Sequence, residues 1–112
     1  MELFPSRRPG ALVLAPRGRI DHGNAEDFQA ALRARLMECR AGGARLVLDL
    51  SGLEYISSAG LRVLMLASRQ ATAQGGDIVV AAMAPVVREI FDISKFTLVF
   101  RCFETVDEAL AC

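Results

Sequence analysis

Ser57 and Ser58 are the side chains whose type and position could do chemistry. They stand inside Tyr55-Ile56-Ser57-Ser58-Ala59-Gly60-Leu61-Arg62-Val63-Leu64-Met65-Leu66, where a turn passes into a helical pattern. An apolar run, Leu46-Val47-Leu48-Asp49-Leu50, lies just upstream and is short enough for a buried strand. Downstream the helical pattern holds until Gln74-Gly75-Gly76. A serine at a helix start can cap it, its oxygen accepting a bond from an orphan N–H for about 1 kcal/mol. It can also accept a phosphoryl group, which adds about −1.5 to −2 charges where the helix dipole tolerates them. With two adjacent serines, one can cap while the other stays free. The end of a central strand in an α/β sheet is also where partners and ligands usually meet the fold.

Other chemistries lack their parts. A serine hydrolase needs a base oriented by a third group, and the surroundings of Ser58 do not read G-x-S-x-G. The single histidine, His22, reads as a turn or surface residue beside Asp21. Asp49, near the end of the central strand, suggests an aspartyl phospho-acceptor. That site would need an acidic cluster after the first strand and a lysine after the last. Asp21 stands alone and the sole lysine, Lys95, precedes the last expected strand, so Asp49 reads as a residue that satisfies nearby backbone N–H groups. No glycine-rich phosphate loop is present. Cys39, Cys102 and Cys112 are odd in number, widely spaced and without a C-x-x-C, so they read as free thiols in a reducing cytoplasm. No cofactor or metal site is expected.

The elements that must position the serines follow in order. Glu2 to Arg7 reads as a short edge strand and Pro9-Gly10 as a turn. Ala11–Ala15 reads as a strand that Arg17–Ile20 resumes, with Pro16 marking an edge or a bulge. Asp21-His22-Gly23-Asn24 is turn chemistry, with Asn24 as N-cap of a first helix that Gly42-Gly43 ends. Phe28, Leu32, Leu36 and Cys39 give that helix one apolar stripe. Arg45–Leu50 is the central strand, Ser51–Ile56 a loop, and Ser58–Gln74 the second helix. Asp77–Met83 is a buried strand, Pro85 starts a third helix that fades near Ile93-Ser94, and Thr97–Phe100 is the last strand. Thr105-x-x-Glu108 is a capping box for a short final helix. The expected fold is α/β: one domain over residues 1–112, with a mixed, mostly parallel sheet of about four to five strands and about four helices.

On a helical wheel, Gly60, Leu64, Ala67 and Ala71 share one side of the second helix, flanked by Leu61 and Val63. Small residues there let the helix lie close to the sheet. The opposite side carries Ser58, Arg62, Met65, Leu66, Arg69 and Ala73. Large apolar side chains among arginines fit either a face covered by another helix or a protein-binding face rimmed by charge. The candidate partner surface comprises Asp21, His22, Asn24, Ser57, Ser58, Arg62, Met65, Leu66 and Arg69.

Bulk composition points the same way. The chain is 53% hydrophobic over 112 residues, enough for a real core, and its 13 basic and 13 acidic side chains cancel. No overall field therefore draws it to nucleic acid or anionic lipid. It has no apolar run of the roughly 18 residues a membrane span needs, and its first residues do not follow a signal-peptide pattern.

These segments together resemble the STAS domain family, and within it the bacterial anti-sigma factor antagonists. Gly18-Arg19-Ile20-Asp21 is similar to the family's G-x-L-D segment, and Val47-Leu48-Asp49-Leu50-Ser51 to its central strand. Ile56-Ser57-Ser58-Ala59-Gly60-Leu61 is similar to its D-S-S-G-L signature, with Ser57 in place of the aspartate and Ala59 in place of the second serine. Val86-Val87-Arg88-Glu89-Ile90-Phe91-Asp92-Ile93-Ser94 resembles its third-helix segment, although Lys95-Phe96 replaces the G-L that follows. The resemblance implies a partner switch rather than an enzyme. The unphosphorylated protein would bind an anti-sigma factor that is also a serine protein kinase, and phosphorylation of the position matching Ser58 would release it. A serine phosphatase would reverse the modification, and Ser57 is a competing acceptor. The alternative is a STAS scaffold subunit of a transporter or lipid-trafficking complex, in which Ser58 is only a cap.

Overall fold

A computed structural model describes all 112 residues. Strands β1 (Ser6–Arg8), β2 (Ala11–Leu14), β4 (Arg45–Asp49), β6 (Ile78–Ala81) and β7 (Cys102–Phe103) form one sheet in the order β1-β2-β4-β6-β7. Only β1 is antiparallel to its neighbour, so the sheet is mixed and mostly parallel. Strands β3 (Gly18–Ile20) and β5 (Leu53–Ile56) pair in a separate parallel ladder. The helices are α1 (Ala25–Leu36), α2 (Ser58–Ala73), α3 (Pro85–Ile93) and α4 (Val106–Ala111).

Side-chain alternation in the central strands explains the layers. Leu46 and Leu48 point to one face, where they join Leu12, Leu14, Ile78 and Val80 under α1, α2 and α3. Val47 points to the other, with Val13, Val79 and Ala81 against Ala109 of α4. Both faces of β4 are covered, which is why its sequence is a continuous apolar run rather than an alternation. The exposed edge strand β1 carries Arg7 and Arg8 between Pro5 and Pro9, a combination that discourages pairing with another chain.

Several expectations are corrected. The segment read as a loop, Ser51–Ile56, contains β5. Four residues bounded by a tight turn, with the Leu53 N–H bonded to the Leu50 carbonyl at 3.1 Å, carry too little local pattern to reveal a strand that pairs with distant β3. Residues 17–20 do not resume β2; Pro16 is buried where the chain leaves one ladder for the other, and β2 is interior rather than an edge.

The last strand is Cys102–Phe103, not Thr97–Phe100. Lys95 adopts a left-handed conformation (φ 62°) and the chain then makes a 3-10 turn over Phe96–Leu98. Phe96 and Phe100 lie four residues apart and both turn inward, with ring centroids 6.4 Å apart, and Phe96 also meets Phe91 at 5.8 Å. That is helical spacing, and it leaves Leu98 exposed.

Helix α1 stops at Leu36, well before Gly42-Gly43. The Gln74 side-chain amide donates to the carbonyls of Leu36 and Cys39, each at 2.8 Å, and the Leu36 carbonyl also accepts the Cys39 N–H at 3.0 Å, so the turn after the helix is tied to the end of α2. All four residues of the expected stripe are buried, Phe28, Leu32 and Leu36 on α1 and Cys39 in the turn beyond it. Asn24 occupies the N-cap position without capping through its side chain. The capping box of α4 is half as expected. Thr105 Oγ1 accepts from the Glu108 N–H at 3.1 Å, while the Glu108 carboxylate meets the Thr105 hydroxyl at 3.3 Å rather than a backbone N–H.

Candidate functional site

The register of the small ladder builds the site. Ile20 lies opposite Ile56, so the loop after β3 and the loop after β5 leave the fold at one edge. The Ser57 N–H donates to the Ile20 carbonyl at 2.8 Å and extends the pairing to the first residue of the second loop. Gly60 makes the close approach possible. A Cβ there would come within 2.7 Å of both Ile20 Cγ2 and Ile56 Cγ1.

Within this frame the two serines differ. Ser57 is extended (φ −82°, ψ 172°) and 5% exposed, and its Oγ accepts from the Gly60 N–H at 3.3 Å. It is the N-cap of α2. Ser58 is the first helical residue and is exposed, and its hydroxyl makes no protein hydrogen bond. Ala59 carries no hydroxyl, so Ser58 is the one free alcohol at the tip of α2.

The neighbouring loop is closed on itself. Asp21 Oδ1 accepts from the N–H groups of Gly23 (2.9 Å) and Asn24 (3.3 Å). Asn24 Oδ1 accepts from the Asp21 N–H at 2.8 Å, and its Nδ2 donates to the Arg19 carbonyl at 2.8 Å. Both residues are half-buried and shape the loop, whereas His22 is exposed at its turn. Asp49 Oδ1 accepts from the Ser51 N–H at 3.0 Å, the backbone role read from its position.

Along α2, Gly60, Leu61, Val63, Leu64, Ala67 and Ala71 are buried, while Arg62, Leu66 and Arg69 are exposed and Met65 is half-buried. Leu66, at 41% exposure, is not covered by another helix. It borders a groove of about 260 Å³ between α2 and α1 whose floor includes Leu32, Leu36, Val63 and Ala67 and whose α1 rim carries Arg33. The sequence reading missed this contribution of α1, because Arg33 in isolation reads as a solvated side chain. The ion pairs of the fold are Arg7–Glu38, Arg45–Asp77, Arg88–Glu104 and Arg101–Asp77. Arg33, Arg62 and Arg69 have no carboxylate partner, and α2 contains no acidic residue.

The profile of the STAS domain family matches residues 6–109. The chain belongs to the STAS domain family. This STAS domain is 38% identical over 111 residues to BtrV of Bordetella bronchiseptica, which carries the name of an anti-sigma factor antagonist; the match covers 99% of this chain and 93% of BtrV. Among solved structures it is similar to an anti-sigma factor antagonist from Mycobacterium paratuberculosis (TM-score 0.84, 25% identity, 96% of this chain and 89% of that one). It also shares the fold of the Bacillus cell fate determinant SpoIIAA in its phosphorylated form (TM-score 0.67, 18% identity, 96% and 95% coverage). The STAS domain thus sits in the anti-sigma factor antagonist family, whose members are regulatory binding proteins rather than enzymes. No helix is long and apolar enough to cross a membrane.

Proposed function

We propose that this protein is an anti-sigma factor antagonist whose partner binding is switched by phosphorylation of Ser58. In the unphosphorylated form it binds an anti-sigma factor that is also a serine protein kinase, and a serine phosphatase restores that form. The observation that carries the reading is the division of labour between the serines: Ser57 is buried and bound to Gly60, whereas Ser58 is exposed at the start of α2. A kinase can reach Ser58 without unfolding the helix, and the phosphoryl group would leave the cap intact. A dianion placed there stands at the end of a face bearing Arg62, Leu66 and Arg69, where it would weaken a docked protein by repulsion and desolvation. SpoIIAA has this fold in both its unphosphorylated and its phosphorylated form, which supports a fold that accommodates the modification. Residues 1–112 act as one domain in this proposal, and its setting is the cytoplasm.

The test is incubation with ATP and serine kinases of the anti-sigma factor type from the same organism, followed by intact-mass measurement. One phosphate is expected on the wild type and on Ser57→Ala, and none on Ser58→Ala. Ser58→Asp should bind the kinase more weakly, while Ser58→Ala should bind it as the wild type does. No transfer to Ser58, with binding unaffected by Ser58→Asp, would instead leave a STAS scaffold in which that serine is not modified.

A further inference from the structure

We infer that a phosphoryl group on Ser58 is held in cis by the Arg62 guanidinium, so that modification also withdraws Arg62 from the partner surface. The inference rests on Ser58 being the modified residue and adds how the modified state is organised. Ser58 and Arg62 stand at positions i and i+4 of α2, about 6 Å apart along the axis and about 40° apart around it. Residues so spaced are neighbours on the helix surface. Side chains of an α-helix lean toward its N-terminus, so the long side chain at i+4 folds back over residue i. The order is the favourable one, with the anion N-terminal to the cation.

Other features of this chain support the pairing. Arg62 is exposed and has no carboxylate partner, so no existing bond must break. Arg69 lies eleven residues from Ser58, roughly 16 Å along the axis and out of reach. The capping position holds neutral Ser57 rather than a carboxylate, so no anion adjoins the phosphate on its N-terminal side. Ser57 Oγ already occupies the Gly60 N–H, and beside the first backbone N–H groups of α2 a guanidinium offering paired N–H groups is the strongest side-chain donor at this spacing. The other charged groups at this edge are Arg19 on β3, Asp21 and His22 on the β3–α1 loop, Glu26 and Asp27 in the first turn of α1, and Asp49 at the end of β4. Asp21 is engaged by its own loop, Asp49 bonds the Ser51 N–H, Arg19 lies over the Tyr55 ring at 4.5 Å, and His22 is the competing cation.

The test places phosphoserine at position 58 during translation, which makes it independent of any kinase. Phosphorus NMR then follows the second ionisation of the phosphate, ordinarily near pH 6, in the full chain at low salt. A guanidinium in contact favours the dianion, so Arg62→Gln should raise this ionisation by about half a pH unit or more. Arg62→Lys should fall between, and His22→Gln should leave it unchanged. The difference between wild type and Arg62→Gln should shrink in 1 M salt, where screening acts over about 3 Å. Equal values for wild type and Arg62→Gln at low salt would overturn the pairing, and an effect confined to His22→Gln would reassign the cation. Failure of the kinase to modify Ser58 would count against the switch while leaving this measurement intact.

Discussion

The Oγ of Ser57 accepts the Gly60 N–H at 3.3 Å while the Ser57 N–H reaches back to Ile20 at 2.8 Å, so a single residue ties the start of α2 to the end of β3. The adjacent residue, Ser58, is thereby presented on a fixed helix without taking part in fixing it. A modification there changes surface charge with little change in the fold.

Removing the tie should cost stability where removing the free alcohol does not. Ser57→Ala is expected to lower the unfolding free energy by about 1 kcal/mol through loss of the cap. Ser58→Ala should stay within about 0.5 kcal/mol of wild type. Urea unfolding of the two variants checks this, and the reverse order would exchange their roles.

Gly60→Ala sets two effects against each other. Alanine in a helix gains roughly 1 kcal/mol over glycine. The new methyl, however, would meet Ile20 and Ile56 at 2.7 Å, and both side chains are buried with little room to move. Overpacking costs about 1–3 kcal/mol, so a net loss of about 1 kcal/mol is expected. A raised thermal midpoint would show that the β3–β5 ladder can retreat from α2.

Leu66→Glu should weaken binding to the anti-sigma factor and change stability by less than about 1 kcal/mol, because Leu66 is 41% exposed. Met65→Glu should cost more stability, since Met65 is half-buried. Titration calorimetry paired with thermal unfolding separates the effects. Undiminished binding by Leu66→Glu would remove the α1–α2 groove from the interface.

The thiols should react in order of exposure. Burial pushes Cys39 and Cys102 above the ordinary thiol range, although the Asp77 carbonyl acts on Cys39, and the Arg88 charge on Cys102, in the opposite sense. Cys112 is exposed. A thiol reagent near neutral pH should label Cys112 first, with Cys39 last. Since the folded ionisation of Cys39 and Cys102 is raised, their contribution to stability is full below the unfolded thiol range. It is lost as pH rises through the folded one. Alkaline unfolding should move to higher pH when both are replaced by alanine or serine at matched starting stability.

At acid pH the Arg7–Glu38 pair, at 2.6 Å, is the contact to watch. Its hydrogen bond lowers the Glu38 ionisation below the usual carboxylate range. The pair therefore contributes above the unfolded glutamate value, and that contribution disappears as pH falls through the lower folded value. The thermal midpoints of wild type and Arg7→Ala should converge as the solution is acidified. A gap independent of pH would point to packing by the arginine stem instead.

Local periodicity made most of the fold legible. The continuous apolar run of β4, the stripe of α1, Pro85 at the head of α3 and the Thr105 cap of α4 each lie within a few residues of sequence and needed no distant partner. So did the start of α2 at the serine pair. Tertiary structure decided what depends on remote groups. Strand β5 exists because β3 pairs with it, α1 ends where Gln74 reaches the Leu36 carbonyl, and the Phe91–Phe96–Phe100 cluster turns an expected strand into a 3-10 turn. The same holds for the serines. Sequence placed two hydroxyls at a helix start, but only the approach of Ile20 and Ile56 to Gly60 makes Ser57 the buried cap and leaves Ser58 in solvent, because burial is set by what packs nearby in space.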